Sequence, residues 1–297
     1  MKFSIIDAFT DNLFGGNPAG VVLLPEGQDF PSDEVMVKTA AELRYSETAF
    51  IKEFGADTFN IRYFTPASEV DLCGHATIAS FYYLLNEGII ESNRIYTNKT
   101  LAGDLEIAVN ENSILMDMGE PQIFDTIPQG QATEELYRIM GLDSENQGIC
   151  EKYPNLTLLP KKVSTGLIDI MLPVQNESEL EKINPDFNAL TELSKNYEVV
   201  GVHAFTLNTK DGKIHARNFA PLYDIDEEAA TGTSNGALTY YLYDYGMIQF
   251  DRTYEIIQGE KMGRPSKILT QIERKSGKEK IKVGGSAVTV AVGEINI

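Results

Sequence analysis

The sequence has few of the residues from which metal sites and disulfide frameworks are built. Its 297 residues include two cysteines, Cys73 and Cys150, and three histidines, His75, His203 and His215. Two cysteines do not make a disulfide framework, and no Cys/His spacing matches that of a structural zinc site. We therefore expect no metal.

Positive charge is also scarce. The chain carries 25 Lys and Arg against 44 Asp and Glu, which gives a net charge of −19. This field would repel a nucleic-acid backbone, so nucleic acid is not an expected partner. An anionic substrate would meet the same repulsion and would need local compensation, which backbone N–H groups at the start of a helix can provide.

Long apolar runs are missing as well. No segment is long and apolar enough to span a membrane. Close to the first residue, Asp7 interrupts the apolar stretch that a signal peptide would need. These features predict a cytoplasmic protein without a membrane partner.

The common nucleotide-binding loops are absent too. Gly-Gly-Asn-Pro-Ala-Gly at 15–20 is glycine-rich, but it lacks the Gly-Lys-Ser/Thr ending of a phosphate loop and the Gly-x-Gly-x-x-Gly spacing of a dinucleotide site. We interpret it as a turn-rich loop that needs unusual backbone angles, and the alternative is that it forms a wall of the functional site.

What the sequence does contain is an internal repeat. Ala-Phe at 49–50 and Arg-Tyr-Phe-Thr-Pro at 62–66 return as Ala-Phe at 204–205 and Arg-Asn-Phe-Ala-Pro at 217–221, always displaced by 155 positions. The repeat predicts two related domains, 1–120 and 121–297, with the junction in the softer stretch 119–131. The final strand, 286–297, is able to return to the first domain.

A helix-like run follows each copy of the repeat. The runs are 78–84 and 236–242, and each stops at a glycine, Gly88 or Gly246. Each domain should therefore offer a helix N-terminus at an equivalent place. Two such N-termini facing each other would suit an anionic ligand in a cleft between the domains.

The remaining pattern is dominated by strands. Alternation and apolar content predict helices at 33–43, 134–140 and 187–197, and strands at 4–9 (of edge type), 21–24, 47–51, 60–64, 106–109, 113–117, 166–173, 199–207, 213–219, 254–258, 266–272, 281–283 and 286–292. Many antiparallel strands with one main helix per half favour an α+β fold. In this prediction each domain is a mostly antiparallel sheet wrapped on a central helix.

Cys73 and His75 lie at the start of the first helix-like run. A thiol at a helix N-terminus would have a lowered pKa. Residues two apart do not face each other on a helix, however, so we interpret Cys73 as a packed, inert residue. His75, beside Gly74, is either a structural histidine or a part of the functional site.

Two acidic segments could supply a carboxylate for catalysis. Glu47 begins an otherwise apolar strand, where desolvation would raise its pKa and suit it to proton transfer near neutral pH; the alternative is a solvated loop acid. The acidic run 224–228 leads into the second helix-like run. It either caps that helix and compensates its dipole, or it places one carboxylate in the cleft.

Taken in order, these segments resemble the phenazine-biosynthesis PhzF family, which shares its fold with diaminopimelate epimerase. The resemblance covers essentially the whole chain. Its landmarks are Asp-Ala-Phe at 7–9, Gly-Asn-Pro-Ala at 16–19, Ser-Glu-Thr-Ala-Phe at 46–50, the segments 62–66 and 73–77, Glu-Glu-Ala-Ala-Thr-Gly-Thr at 227–233, Gln-Gly at 258–259 and Gly-Arg-Pro-Ser at 263–266.

The resemblance implies an isomerase without cofactor that moves a proton within a small carboxylic acid. The family's catalytic glutamate falls on Glu47 and its supporting histidine on His75. Its supporting aspartate falls on Glu228, which is a departure, and Asp226 is a less suitable stand-in. The implied substrate-binding residues are Asn17, Ser46, Gly74, Gly232 and Thr233. A homodimer is usual in the family.

Two other functions remain as alternatives. One is a protein that binds a small carboxylate without catalysis. The other is a thiol-type racemase, since the epimerase branch of this fold uses two opposed cysteines. Cys73 matches the first cysteine, but Thr231 stands in place of the second, and a threonine hydroxyl does not replace a thiolate at neutral pH. The racemase is therefore the weaker alternative.

Overall fold

The computed structural model describes residues 1–145, 147–151, 153–275 and 277–297. The strands are β1 (Lys2–Ala8), β2 (Asn17–Leu23), β3 (Thr48–Gly55), β4 (Thr58–Phe64), β5 (Glu69–Val70), β6 (Arg94–Thr100), β7 (Gly103–Val109), β8 (Ile114–Asp117), β9 (Gln122–Thr126), β10 (Lys161–Ser164), β11 (Ile168–Pro173), β12 (Gly201–Thr206), β13 (Ile214–Ala220), β14 (Ile225–Glu228), β15 (Thr253–Gln258), β16 (Ser266–Lys275), β17 (Lys278–Gly285) and β18 (Ala287–Glu294). The helices are α1 (Asp33–Leu43), α2 (Gly74–Asn86), α3 (Gln131–Ile139), α4 (Glu177–Lys182), α5 (Phe187–Tyr197) and α6 (Gly232–Asp244).

The chain divides into two compact units. One comprises residues 1–117 with 284–297, and the other comprises residues 118–283. Antiparallel pairs outnumber parallel pairs in both units, and the predicted α+β class is confirmed. Within the described ranges, no helix is both long enough and apolar enough to cross a membrane.

The first unit is one sheet built around α2. Its strands pair in the order β18, β1, β2, β3, β4, β6, β7 and β8, with β2–β3 and β4–β6 parallel. α2 packs against β1, β2 and β3, and most of its residues are buried. β1 is not the predicted edge strand, because it lies between β2 and β18 and is paired on both sides.

The glycine-rich segment 15–20 is a loop only at its start. From Asn17 onward it is strand β2, because its backbone pairs with β1 from Ala8 back to Ile5. Gly16 makes the turn into the strand at φ +60°, and a Cβ there would lie 2.1 Å from the Ala8 carbonyl oxygen. The glycine is therefore required by both its backbone angle and its surroundings.

The second unit repeats this plan with a sheet around α6. Its strands pair in the order β9, β10, β11, β12, β13, β15 and β16, with β11–β12 and β13–β15 parallel. α6 packs against β9, β10, β11 and β16. Strand β9 lies in the stretch 119–131 that the sequence presented as a soft junction. Its residues are mostly exposed, so apolar content did not reveal it.

The acidic run before α6 is a strand rather than a helix cap. β14 pairs with β13, where Glu228 is the partner of Asn218. The first turn of α6 itself carries no acidic residue. The run is therefore not the cap of the helix, because residues 225–228 form a strand and the N-cap of α6 is Thr231.

The repeated arginine has the same task in both units. Arg62 donates from Nε and Nη2 to Glu69 at 2.7 and 2.6 Å, and Arg217 donates from the same two nitrogens to Glu227 at 2.8 Å each. Such bidentate bonds fix the strand that carries the arginine to the segment that leads into the helix. The repeat in the sequence thus corresponds to the same arginine–glutamate pair in both units, Arg62–Glu69 and Arg217–Glu227.

Candidate active site

In the first unit, three segments bring polar side chains around His75. Glu47 and Ser46 precede β3, Asn17 opens β2, and His75 is the second residue of α2. Residue Cys73 is the N-cap of α2, with an extended backbone at φ −137° and ψ 117°. His75 is 5% exposed, whereas the Glu47 side chain remains 19% exposed, so the glutamate is the more accessible of the pair.

Both ring nitrogens of His75 have polar neighbours. Nε2 lies 3.2 Å from Glu47 Oε2 and 3.4 Å from Ser46 Oγ. Nδ1 lies 3.3 Å from Asn17 Nδ2 and 3.4 Å from Cys73 Sγ. The structure therefore brings together four of the predicted site residues, Asn17, Ser46, Glu47 and His75, while Gly74 is the first residue of the helix that carries the histidine.

The Glu47–His75 pair favours its ionised form. Burial raises the pKa of Glu47, but His75, Ser46 and Cys73 lower it by more, so the pKa lies below the usual 4.5. Burial lowers the pKa of His75, while Cys73 and the Glu47 carboxylate raise it by more, so the pKa lies well above the usual 6.5. The raised pKa that the sequence predicted for Glu47 is wrong, because desolvation is only one of the effects on this carboxylate.

Cys73 differs from expectation in its contacts. Its sulfur touches His75, although residues two apart on a helix do not meet, because the extended backbone at the N-cap turns the side chain toward the ring. The pKa of the Cys73 thiol is raised to about 11, first by burial and then by the Glu47 carboxylate. The thiol is therefore neutral at neutral pH, and the lowered pKa considered for a helix start does not occur here.

In the second unit, Glu228 lies beside the N-cap of α6. The Thr231 hydroxyl donates to Glu228 Oε2 at 2.6 Å. Glu227 is bound by Arg217, and Asp226 is exposed, so Glu228 is the member of the acidic run that approaches the start of the helix. Gly232 is the first residue of α6, and the carbonyl of Thr233 accepts a bond from Thr165 Oγ1 at 2.9 Å.

The N-cap residues of α2 and α6 are held in equivalent ways. Thr77 Oγ1 donates to the Cys73 carbonyl at 2.7 Å, and Asn235 Nδ2 donates to the Thr231 carbonyl at 2.8 Å. In each case a polar side chain four residues into the helix binds the N-cap carbonyl. These contacts fix the turn that presents the first N–H groups of each helix.

Sequence reasoning did not assign a buried polar network in the second unit. Hydrogen bonds connect Asp169, His203, Asn218, Ser234, Asn235 and Gln258, and all six are almost completely buried. The available signal was the presence of polar residues inside apolar segments, such as His203 in the predicted strand 199–207. Periodicity alone gave no reason to connect residues that are far apart in the chain.

Two groups of side chains in the described residues have metal-ligand geometry. Donor atoms of Glu47, Cys73 and His75 lie within 4.8 Å of one another, as do those of Glu177, Asp211 and His215. In the first group the sulfur is a protonated thiol, and His75 is engaged with Glu47.

The whole chain resembles proteins of one family. The family model described as phenazine biosynthesis-like protein, PhzC-PhzF, matches residues 6–293. An uncharacterized isomerase of Clostridium acetobutylicum is 35% identical over 304 residues, which cover 98% of this chain and 96% of that protein. An uncharacterized isomerase of Bacillus subtilis, YfhB, is 32% identical over 289 residues, with 95% and 94% covered.

The fold agrees with this resemblance. The crystal structure of a PhzF-family phenazine biosynthesis protein from Bacillus anthracis is similar to this chain with a TM-score of 0.85 and 29% identity. The similarity covers 100% of this chain and 99% of that one. The matches therefore extend over both units rather than over a single shared module.

Proposed function

Because the chain belongs to the PhzC-PhzF family of phenazine biosynthesis-like proteins, we propose that it is a cofactor-independent isomerase acting on a small carboxylic acid. The observation that carries this proposal is the 3.2 Å approach of Glu47 Oε2 to His75 Nε2. It pairs a carboxylate with an imidazolium, which are a base and an acid held side by side. The relatives that carry the name isomerase support the same reaction class.

In the proposed reaction Glu47 transfers a proton between two carbons of the substrate. A C–H bond breaks, the proton moves to the Glu47 carboxylate, and the electron pair enters the conjugated system of the substrate. Glu47 then returns the proton to a different carbon. Substrate and product are isomers, so the reaction consumes no oxidant, reductant or water.

The lowered pKa of Glu47 restricts the substrate class. A carboxylate with a pKa below 4.5 is a weak base, so it removes a proton only from a carbon whose C–H is already acidic. Conjugation with a carboxylate and a further double bond provides that acidity. The protonated His75 stabilises the negative charge that develops as the proton leaves.

The other predicted site residues bind the substrate in this proposal. Backbone N–H groups of Gly74, Gly232 and Thr233 at the two helix starts bind its carboxylate, against a net charge of −19. With His75 protonated, the Asn17 side-chain amide must present its oxygen to Nδ1 in order to accept a hydrogen bond. Asn17 and Ser46 then orient the histidine and contact polar groups of the substrate. Glu228 binds a substrate hydroxyl or amino group.

Solvent exchange provides the test. We expect the wild-type protein to exchange substrate hydrogen with D₂O for at least one member of a panel of small conjugated cyclic and acyclic acids, followed by mass spectrometry. Glu47→Gln keeps the shape and removes the base, so exchange should fall by about 10²–10⁴-fold. Glu53→Gln, in the exposed part of the neighbouring strand, is the matched control and should leave exchange unchanged.

Two outcomes would contradict the proposal. Exchange that continues at the wild-type rate in Glu47→Gln would remove Glu47 as the base. Binding of panel acids, measured by calorimetry, without exchange of any of them would instead favour the non-catalytic carboxylate-binding protein.

We also propose a homodimer, as the family resemblance implies. Size-exclusion chromatography with light scattering would give the mass of a dimer, and the mass of one chain would contradict it. The cytoplasmic location stays a prediction.

A further inference from the structure

The buried polar network in the second unit has a fixed hydrogen-bond direction at Gln258. The carbonyl oxygen of Glu228 can only accept, so the Gln258 side-chain atom 2.7 Å away is the nitrogen Nε2. Its oxygen Oε1 then faces two donors, the backbone N–H of Thr231 at 3.3 Å and Asn235 Nδ2 at 2.7 Å. Gln258 is fully buried, and its amide orientation follows from backbone groups alone.

The same reasoning fixes Asn235 and His203. Asn235 Nδ2 donates to the Thr231 carbonyl at 2.8 Å, so Asn235 Oδ1 is the atom that faces His203 Nε2 at 3.3 Å. His203 Nε2 must therefore carry the hydrogen. The other ring nitrogen, Nδ1, accepts from Asn218 Nδ2 at 3.2 Å, and the histidine is neutral. Burial lowers the pKa of His203 to about 4, in agreement with this state.

The direction of these bonds determines where the Thr231 hydroxyl points. Thr231 Oγ1 lies 3.1 Å from Gln258 Nε2, which can only donate. The hydroxyl therefore accepts from Gln258, and its own hydrogen is directed to Glu228 Oε2 at 2.6 Å. Every bond from His203 through Asn235 and Gln258 to Thr231 is consistent with this single direction.

We propose that Gln258, supported by Asn235 and His203, is a positioning residue that holds the Thr231 hydroxyl as a donor to the Glu228 carboxylate. The relevance of this positioning to catalysis rests on the proposed role of Glu228 in the isomerase. A glutamate side chain has three rotatable bonds, and a fixed donor on one oxygen restricts them. Gln258 also bonds to the Glu228 carbonyl, so one residue restrains both the backbone and the side chain of Glu228.

A second arm of the same network provides an internal control. Asn218 Nδ2 also donates to Ser234 Oγ at 3.0 Å, and Ser234 in turn donates to Asp169 Oδ2 at 2.5 Å. This arm leads away from Thr231 and ends on a different carboxylate. Ser234 is as buried as Gln258, so Ser234→Ala perturbs the network without removing a bond on the path to Glu228.

The first measurement uses the wild-type protein. Because the chain has three histidines, ¹⁵N-histidine labelling gives a simple spectrum, which a His203→Gln variant assigns. We expect His203 to be neutral at pH 7 with the hydrogen on Nε2. A neutral ring with its hydrogen on Nδ1 would leave Nε2 without a hydrogen to donate to Asn235 Oδ1, which would reverse the direction of the chain and overturn the proposal.

The second measurement follows the Glu228 side chain in protein labelled with δ-¹³C glutamate, assigned with Glu228→Gln. Loss of the Thr231 donor should move the titration of this signal to higher pH by about one unit, since a hydrogen bond to a carboxylate favours its charged form. Thr231→Val and Gln258→Met should both produce this shift. Thr231→Ser, which keeps the hydroxyl, should not. Ser234→Ala should produce only a smaller shift, which arises from the interaction of Asp169 with Glu228.

Two results would overturn the proposal. One is a folded Gln258→Met protein in which the Glu228 signal titrates as in wild type. The other is a Ser234→Ala shift as large as that of Gln258→Met, which would indicate general loosening of the unit. Should Gln258→Met not fold, Asn235→Leu takes its place, because it removes the bond that supports the Gln258 oxygen.

These readouts need no substrate, so they distinguish this inference from the proposed isomerase. Absence of exchange in the wild-type protein would contradict the isomerase and leave the NMR result to decide the role of Gln258. Where exchange is measurable, Gln258→Met should lower kcat/KM at least about tenfold, because it disturbs the Glu228 carboxylate that binds a polar group of the substrate in the proposed reaction.

Discussion

The pKa of Glu47 is lowered and that of His75 is raised because polar neighbours outweigh the cost of burial. His75, Ser46 and Cys73 act on Glu47, and Cys73 and Glu47 act on His75. Each pKa is shifted away from the value that desolvation alone would give. Such a pair is poised at neutral pH as a carboxylate base beside an imidazolium acid. The pair also makes the activity and the stability of the protein depend on pH in a defined direction.

Hydrogen exchange should have a broad pH optimum. Glu47 is ionised above its folded pKa, which is below 4.5, and His75 is protonated up to a folded pKa well above 6.5. The exchange rate should therefore be constant from pH 4.5 to 6.5 and fall as His75 loses its proton at higher pH. In His75→Gln the alkaline fall should disappear. A rate that increases steeply between pH 4.5 and 6.5 would contradict this assignment.

The same pair should contribute to stability over a limited pH range. The contribution of His75 is complete below pH 6.5 and is lost as the pH rises through the folded pKa; that of Glu47 is present above pH 4.5 and is lost below it. We expect His75→Gln to lower the free energy of unfolding by about 2 kcal/mol between these values and by less at alkaline pH. Urea denaturation at several pH values measures the difference, and a penalty that is equal at pH 6 and pH 10 would contradict the ion pair.

Cys73 should be dispensable for proton transfer. Its thiol is neutral because its pKa is raised to about 11. Cys73→Ala should therefore retain exchange within about tenfold of wild type, whereas a thiol base would lose about 10²–10⁴-fold. Cys150→Ala is the control for removal of a buried cysteine elsewhere in the chain. A loss as large as that of Glu47→Gln would support the thiol-type racemase.

At this scale the sequence selects candidate residues but does not show most of their contacts. Motif order led to Glu47, His75 and Glu228, whose assignments stay predictions until the exchange experiments are made. The contact between Cys73 and His75 depends on one extended residue at the N-cap, which periodicity does not show. Gln258 stands in a motif quoted from the sequence, but its bonds to Glu228 and Thr231 arise only when β15 reaches the start of α6.

Among the elements, the two repeated Arg-x-Phe-x-Pro segments differ in how deeply their arginine side chains are buried. Arg217 is 8% exposed and also donates from Nη1 to the carbonyls of Leu180 and Ile183, at 3.0 and 2.9 Å. Arg62 is 22% exposed and bonds to Asp33 in addition to Glu69. The deeper arginine therefore satisfies more buried acceptors than the shallower one.

Replacing each of these two arginines by lysine should lower the free energy of unfolding by a different amount. Lysine cannot make the bidentate bonds and leaves carbonyls unsatisfied where the arginine is buried. We expect Arg217→Lys to lower the free energy of unfolding by about 3 kcal/mol and Arg62→Lys by about 1 kcal/mol or less, measured by urea denaturation. Equal losses would show that burial of the arginine does not change its contribution to the free energy of unfolding.

Most elements of the sheet were predictable because their strands are apolar or alternate. The helix α5 has the predicted bounds, and α1 begins after the predicted cap, Ser32. Helix α2 begins at Gly74, between Cys73 and His75, which the sequence placed at a helix start. Helix α6 begins at Gly232, four residues before the predicted run 236–242. Strands β5, β6, β9, β10 and β14 were not predicted, since they are short or rich in polar residues.

For the whole molecule, two buried groups in the polar network have opposite effects on the pH dependence of folding. Burial raises the pKa of Asp169 to about 6 and lowers that of His203 to about 4. As the pH rises from 4 to 6.5, Asp169 ionises in the unfolded chain before it ionises in the folded one, which lowers the free energy of unfolding. His203 loses its proton in the unfolded chain over the same range, which raises the free energy of unfolding. Each effect is about 3 kcal/mol, so they nearly cancel.

Asp169→Asn should reveal this cancellation. The asparagine keeps an acceptor for Ser234 but does not ionise. Relative to wild type, its free energy of unfolding should rise by about 3 kcal/mol between pH 4 and pH 6.5, which guanidinium titrations at fixed pH would measure. Asp104→Asn, at an exposed position in β7, is the control. A difference that does not change with pH would contradict the raised pKa of Asp169.

The α+β class was predictable because the repeat and the strand-rich pattern point the same way. The predicted domain boundaries, 1–120 and 121–297, stay a prediction. The pairing of β18 with β1 joins residues at opposite ends of the sequence. No local pattern determines that partner, because period-two alternation shows that a segment is a strand without showing which strand lies beside it.

The pairing of β18 with β1 determines when the sheet of the first unit is completed during translation. β18 covers one edge of β1 along its whole length, and residues 118–283 lie between the two strands in the chain. On the ribosome, residues 1–117 emerge first, yet their sheet has an open edge until residues 287–294 have been translated. The unit that is translated first is therefore the one completed last, and its nascent form needs protection from pairing with other chains in the meantime.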